Sequence, residues 1–216
     1  MPVIAVLNRS SLDDEDVAFF AAAADAQLRE DLMTKWEGVD YTPVLFFASD
    51  KDLPTASGVA RLMIIQDTID QADAAGYHQF VGVPRSIILA QGEQTSVTMS
   101  HEALEMSADP NVYEWVKMPD GRHVAVEIAD PVESNVYMKT VTILGKTRDI
   151  FVSAFVGPEW FQPGQPGAFT LAPGGYMVID DGGNVSPVFA DETGRKRYEA
   201  KQSNPSSRIN ARTLAP

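Results

Sequence analysis

The chain has 216 residues, a formal net charge of −13, three histidines and no cysteine. Such acidity argues against general nucleic-acid or anionic-membrane binding, both of which need a basic face. Without cysteine there are no disulfides, zinc ribbons or thiol nucleophiles, so any metal must be held by histidine and carboxylates. The length suits one core with a terminal extension: a single domain over residues 1–192 and a basic extended tail over 193–216. From Gly194 onward six basic residues (Arg195, Lys196, Arg197, Lys201, Arg208, Arg212) face Glu199 alone, so this segment carries +5 of the total and leaves −18 on the rest. It reads as a solvated tail, or as an arm for an acidic partner or a second copy. No apolar run is long enough to cross a bilayer, and Met1-Pro2-Val3-Ile4 lacks the basic start and cleavage site of a signal peptide.

In chain order, residues 3–7 form a short apolar run that predicts a buried strand. Ser10, Ser11 and Asp13 then offer helix N-caps, and Val17, Phe20, Ala24, Leu28 and Leu32 share one helical face until Gly38. Strands are expected at 41–48, despite Pro43, and at 60–66, followed by a short helix over 67–75 that Gly76 ends. Residues 81–90 read as a strand that Pro84 assigns to an edge. A second helix over 95–108 stops at Asp109-Pro110. Residues 112–117 and 123–128 alternate about Pro119-Asp120-Gly121 and predict a hairpin. Further strands are expected at 136–144, 151–155, 168–171, 176–179 and 185–189. The 158–167 loop carries Trp160 and Phe161, which need covering. The pattern is an α+β domain: a helix among strands, a second helix, then mostly β structure.

The chemistry concentrates in Ser100-His101-Glu102-Ala103-Leu104-Glu105 and in Glu127-Ile128-Ala129-Asp130-Pro131-Val132-Glu133. Residues four apart on a helix share a face, so His101 and Glu105 can converge on one ion, with Glu102 beside it as a non-ligating base. Glutamate stands where His-Glu-x-x-His peptidases place their second histidine, which makes manganese or calcium eligible beside zinc. For the third ligand Asp130 and Glu127 rank first, then Asp109, then His123. Asp109 also reads as a helix stop, and Ser100 as support for the helix. No Gly-x-Ser-x-Gly elbow is present to suggest a serine hydrolase.

Tyr77-His78, the stretch 86–90, Ser100-His101-Glu102-Ala103-Leu104-Glu105 with Asp109-Pro110, and Glu127-Ile128-Ala129-Asp130 together resemble a zincin-type metallopeptidase group marked by Ser-His-Glu-x-x-Glu and Glu-Ile-x-Asp. With Gly174-Gly175-Tyr176, the chain also resembles uncharacterised phage and prophage proteins over roughly residues 76–180. The resemblance implies a zincin-like mixed sheet with two main helices and a β-rich C-terminal half. It implies zinc, a peptide or protein substrate paired along an edge strand at 86–90, Glu102 as general base, and an oxyanion tyrosine among Tyr113, Tyr137 and Tyr176. The alternative it leaves open is a non-catalytic virion component on the same scaffold, with the basic tail gripping neighbours or a second copy. Either way the expected location is cytoplasmic or virion-associated, with neither nucleic acid nor membrane as partner.

Overall fold

The structure is a computed structural model that describes residues 2–55, 58–70 and 74–202. Strand β1 (Val3–Arg9) is buried from Val3 to Leu7, the pattern of a strand covered on both faces. It runs parallel to β2 (Val44–Phe47) on one side and β3 (Val59–Gln66) on the other. Two further strands, β4 (Gly76–Phe80) and β5 (Pro84–Leu89), complete a five-stranded sheet of order β2-β1-β3-β5-β4. β5 is parallel to β3, and β4 is antiparallel to β5.

This order corrects two expectations. The stretch 81–90 is the turn and second strand of a hairpin whose tip holds Gly82 at φ +81°. The edge belongs to β4, while β5 is interior. Pro84 does not force β5 outward because it is the first residue of the strand, where its missing N–H breaks no inner ladder bond. The short helix expected at 67–75 is absent from its described part, and residues 71–73 lie outside the described residues. The carboxylates there tie loops together instead: Asp67 accepts from the Ser11 backbone and hydroxyl, and Asp70 accepts from the Tyr77 hydroxyl.

Helix α1 (Asp14–Gln27) starts as expected, with the Asp13 carboxylate accepting from the Glu15 N–H at 2.8 Å. It continues through a π-helical turn, Leu28–Leu32, into the short α2 (Met33–Lys35). The expected stripe Val17, Phe20, Ala24, Leu28 and Leu32 is buried, and so are Phe19, Ala21, Ala23 and Ala26. The apolar face is this wide because α1 packs on the sheet on one side and on a second helix and a β-hairpin on the other. The second helix, α3 (Gln94–Ala108), is buried at every residue from Thr95 to Ser107. It lies among α1, β4, β5 and the hairpin.

That hairpin is β8 (Val136–Ile143) with β9 (Lys146–Ser153). A four-stranded antiparallel sheet, β11-β10-β7-β6, forms the remainder from β6 (Trp115–Lys117), β7 (His123–Ala125), β10 (Tyr176–Asp180) and β11 (Val185–Phe189). The expected hairpin about Gly121 is therefore present, though shorter. Residues 168–171 form a turn, not a strand, because the loop closes on Trp160: its carbonyl accepts from Phe169 N and its indole donates to the Thr170 carbonyl. Trp160 and Phe161 are buried against each other, with Trp36 and Phe169 beside them.

Where an extended tail was expected, residues 192–202 form helix α4 (Glu192–Gln202). Tyr198 explains the difference: it is buried, with its ring 5.5 Å from those of Tyr176 and Phe189. The remaining tail, with Arg208 and Arg212, lies outside the described residues. The fold is α+β, and among the described residues no helix is long and apolar enough to cross a membrane.

Candidate metal centre

Helix geometry sets the first part of the site. His101 and Glu105 sit one turn apart on α3, with His101 Nε2 3.2 Å from Glu105 Oε1. The third group comes from a 3-10 turn, Asp130–Val132, whose Asp130 Oδ1 lies 3.3 Å from the same nitrogen. That turn is held firmly. The Pro131 carbonyl accepts from Ala172 N at 2.9 Å, and the Ile128 carbonyl accepts from Val156 N at 2.8 Å. Gly175 packs so closely that a Cβ there would collide with the Pro131 carbonyl. The acidic cluster is thus aimed at α3 by later chain, at Val156, Ala172 and Gly175.

A second histidine, His78, reaches the same place from β4. Side chains alternate along a strand, so Tyr77 faces Ile64 and Ile87 on the outer side of the sheet while His78 faces α3. Its Nδ1 is 2.7 Å from Glu102 Oε2 and 3.6 Å from Glu105 Oε2. Gly76 permits this approach: a Cβ there would stand 2.6 Å from Thr98 Cγ2 on the helix. His78, Glu105 and Glu127 form one group with ligand-type atoms within 4.8 Å of one another, and His101, Glu105 and Asp130 form another. All are buried, so either group could hold a metal ion.

Two arguments favour an ion over a plain hydrogen-bond cluster. Four carboxylates (Glu102, Glu105, Glu127, Asp130) are at most 3 % exposed and share the space with two imidazoles. The carboxylates outnumber the imidazoles two to one, and buried uncompensated charge is costly. The His101 contacts to Glu105 and Asp130 are also longer than the ~2.7–2.9 Å of a charge-assisted hydrogen bond. A tetrahedral ion with ligand bonds of about 2.0–2.1 Å sets its ligand atoms roughly 3.3–3.4 Å apart. The measured 3.2 and 3.3 Å fit that spacing.

A cavity of about 280 Å³ opens onto His101 and Glu102, with Gly76, Gln94, Thr98 and Arg197 among its lining. The guanidinium of Arg197 comes from α4 and donates to Ser134 Oγ at 2.7 Å.

The other candidates serve elsewhere. Asp109, ranked third as a ligand, caps the end of α3: its carboxylate accepts from Tyr113 N at 3.3 Å and Glu114 N at 3.0 Å. His123 lies in β7, paired with Lys117 and Asp180, and belongs to neither group. Glu127 stands with His78, not with His101 and Asp130. Among the proposed oxyanion tyrosines, Tyr113 is exposed, Tyr137 is held by Asp31 and Gln27, and Tyr176 packs on Tyr198. None of the three lines the cavity. The Tyr137 hydroxyl is pushed well above its usual pKa, first by burial and then by its bond to Asp31, so it is a poor proton donor at neutral pH.

Sequence reasoning assigned no role to His78. Its signals were to be among only three histidines in the chain and to stand in the Tyr77-His78 pair of the resemblance. Ser100, read as helix support, does more: it donates to the Val97 carbonyl and accepts from Ser153 N at 2.8 Å, pinning β9 to the site helix.

Compared with known proteins, the chain matches no family model, no curated protein and no solved structure.

Proposed function

We propose that this chain is a zincin-like, metal-dependent peptidase, with zinc held by His101, Glu105 and Asp130. The observation that carries this reading is the convergence of those three groups, from a helix and a distant turn, with Glu105 and Asp130 each at the distance from His101 that a tetrahedral ion requires. The position of Glu102 adds to it, since that residue follows the ligand His101 and lines the cavity that His101 also lines. An ion held there supplies Lewis acidity, polarising a carbonyl and lowering the pKa of a water. Glu102 takes a proton from water in the cavity and returns it to the leaving amine. His78, bonded to the Glu102 carboxylate, fixes its orientation. Strand β4 lies at the edge of the sheet beside the cavity, where an extended peptide can add as a further strand. The sequence-based expectation placed that strand at 86–90; the edge position of β4 moves it to Gly76–Phe80.

Metal content measured before and after His101→Ala tests the first step. Stoichiometric metal in the wild type that the variant loses is expected; none in either overturns the proposal. Peptide cleavage by Glu102→Gln should fall by about 10²–10⁴-fold, the usual worth of a general base. Equal turnover removes Glu102 from that role.

A second reading, a virion component on the same scaffold, draws support from the opposite charges of body and tail. Because α4 is docked through Tyr198, the fair test is a chain ending after Gln202. Unchanged assembly into particles or oligomers counts against the arm.

A further inference from the structure

The buried cluster holds more ligating groups than one ion uses, and their arrangement is not random. Glu105 turns one carboxylate oxygen toward each histidine: Oε1 lies 3.2 Å from His101 Nε2, and Oε2 lies 3.6 Å from His78 Nδ1. Asp130 completes the group on the His101 side, and Glu127 completes the group on the His78 side. We propose that the cluster is a two-cation centre. The second position, made by His78, Glu105 and Glu127, takes a divalent metal ion beside the one at His101, Glu105 and Asp130, with Glu105 bridging the two.

The proposal deepens the peptidase reading and rests on it for the first ion. A carboxylate bridging through both oxygens suits ions about 3.5–4 Å apart, the separation found in two-metal hydrolytic sites. Charge points the same way. Four carboxylates carry twice the charge of one divalent ion and match that of two.

An independent observation comes from β5. Ser86 pairs directly with His78 across the antiparallel ladder, so the two side chains share the face turned to α3. Ser86 is wholly buried, and its hydroxyl has no hydrogen-bond partner among the described residues. A buried hydroxyl of this kind is ordinarily satisfied. Beside the second position it is placed to bond a water or ligand of the cation. The donor set, one imidazole with carboxylates, suits zinc or manganese. Glu102 Oε2 lies 2.7 Å from His78 Nδ1, so an ion taken at that nitrogen replaces the His78–Glu102 hydrogen bond and stands next to the proposed base.

The test is metal stoichiometry on the full chain, loaded separately with Zn²⁺ and Mn²⁺ alone and freed of excess. Two ions per chain are expected in the wild type, and one in both Glu127→Gln and His78→Gln. The Mn²⁺-loaded wild type should also give the electron paramagnetic resonance signature of a spin-coupled pair, lost in Glu127→Gln. One ion per chain, removed by His101→Ala, overturns the two-cation centre and leaves the peptidase reading standing; no ion overturns both. Two ions retained in both variants overturn this choice of ligands. Should His78→Gln fail to fold, the near-isosteric Glu127→Gln and the wild-type resonance signal decide the matter.

Discussion

Replacing Ser100 with alanine should destabilise the protein far more than the loss of one hydroxyl suggests. Ser100 and Ser107 lie on the same helix, both are buried, and both donate to a carbonyl of α3. Those carbonyls already serve the helical ladder, so losing either donated bond costs little. Ser100 alone also accepts, from Ser153 N at 2.8 Å. The neighbouring Ala154 N–H bonds across the hairpin to the Asn135 carbonyl, so the Ser153 N–H points the other way, toward α3. Ser100→Ala therefore leaves a fully buried N–H without an acceptor, at a cost of about 1–3 kcal/mol. With a urea m-value of roughly 2 kcal/mol/M, a loss of about 2 kcal/mol moves the midpoint by about 1 M. The matching fall in Tm is roughly 4–8 °C for a domain of this size. Ser107→Ala, which orphans nothing, should stay within about 0.5 kcal/mol of wild type. Urea melts of the two variants, with amide exchange at Ser153, provide the check. Equal, small effects in both would refute the assignment of Ser100 as the anchor of β9.

Three further outcomes are expected. Chelation should lower Tm, because an ion that binds only the folded state at about 100 times its Kd contributes roughly 2.7 kcal/mol; a melt unchanged by chelator, in protein shown to carry metal, counts against a buried site. Gly175→Ala should cost about 1–3 kcal/mol of stability and reduce metal retention together, because its Cβ meets the Pro131 carbonyl beside Asp130; stability lost with full metal retention would show that the Asp130 turn is positioned without it. Docking of α4 should weaken in acid. The N–H groups of Gly194, Gly174 and Thr193 hold the Asp191 carboxyl below its ordinary value, so its contribution is complete above the unfolded pKa of about 3.9 and is lost as pH falls through the lower folded value. Amide exchange in α4 near pH 3 and at pH 6 measures this, and an identical pH response in Asp191→Asn would remove Asp191 as its cause.

The sequence by itself determined what local geometry dictates. The i, i+4 spacing places His101 and Glu105 on one face of any helix they occupy, and Glu102 beside them, whatever surrounds that helix. The unbroken apolar run of β1, the capped start of α1 and the Asp-Pro stop of α3 were legible for the same reason: each depends on residues within a turn or two of one another. What only the tertiary structure decided depends on contacts between distant segments. Asp130 and Glu127 rank equally as sequence, and they separate only because the Gly175 segment presses the 130–132 turn toward His101 while Glu127 meets His78. His78 itself was hidden because Gly76 reads equally well as the end of a helix and as the start of β4. No local pattern states which strand closes a sheet, so the edge fell to β4 and not β5. Strand order and the meeting of separate segments are set by burial over the whole chain, and they turn a six-residue helical pattern into a buried cluster, drawn from three separate segments, that could hold a metal ion.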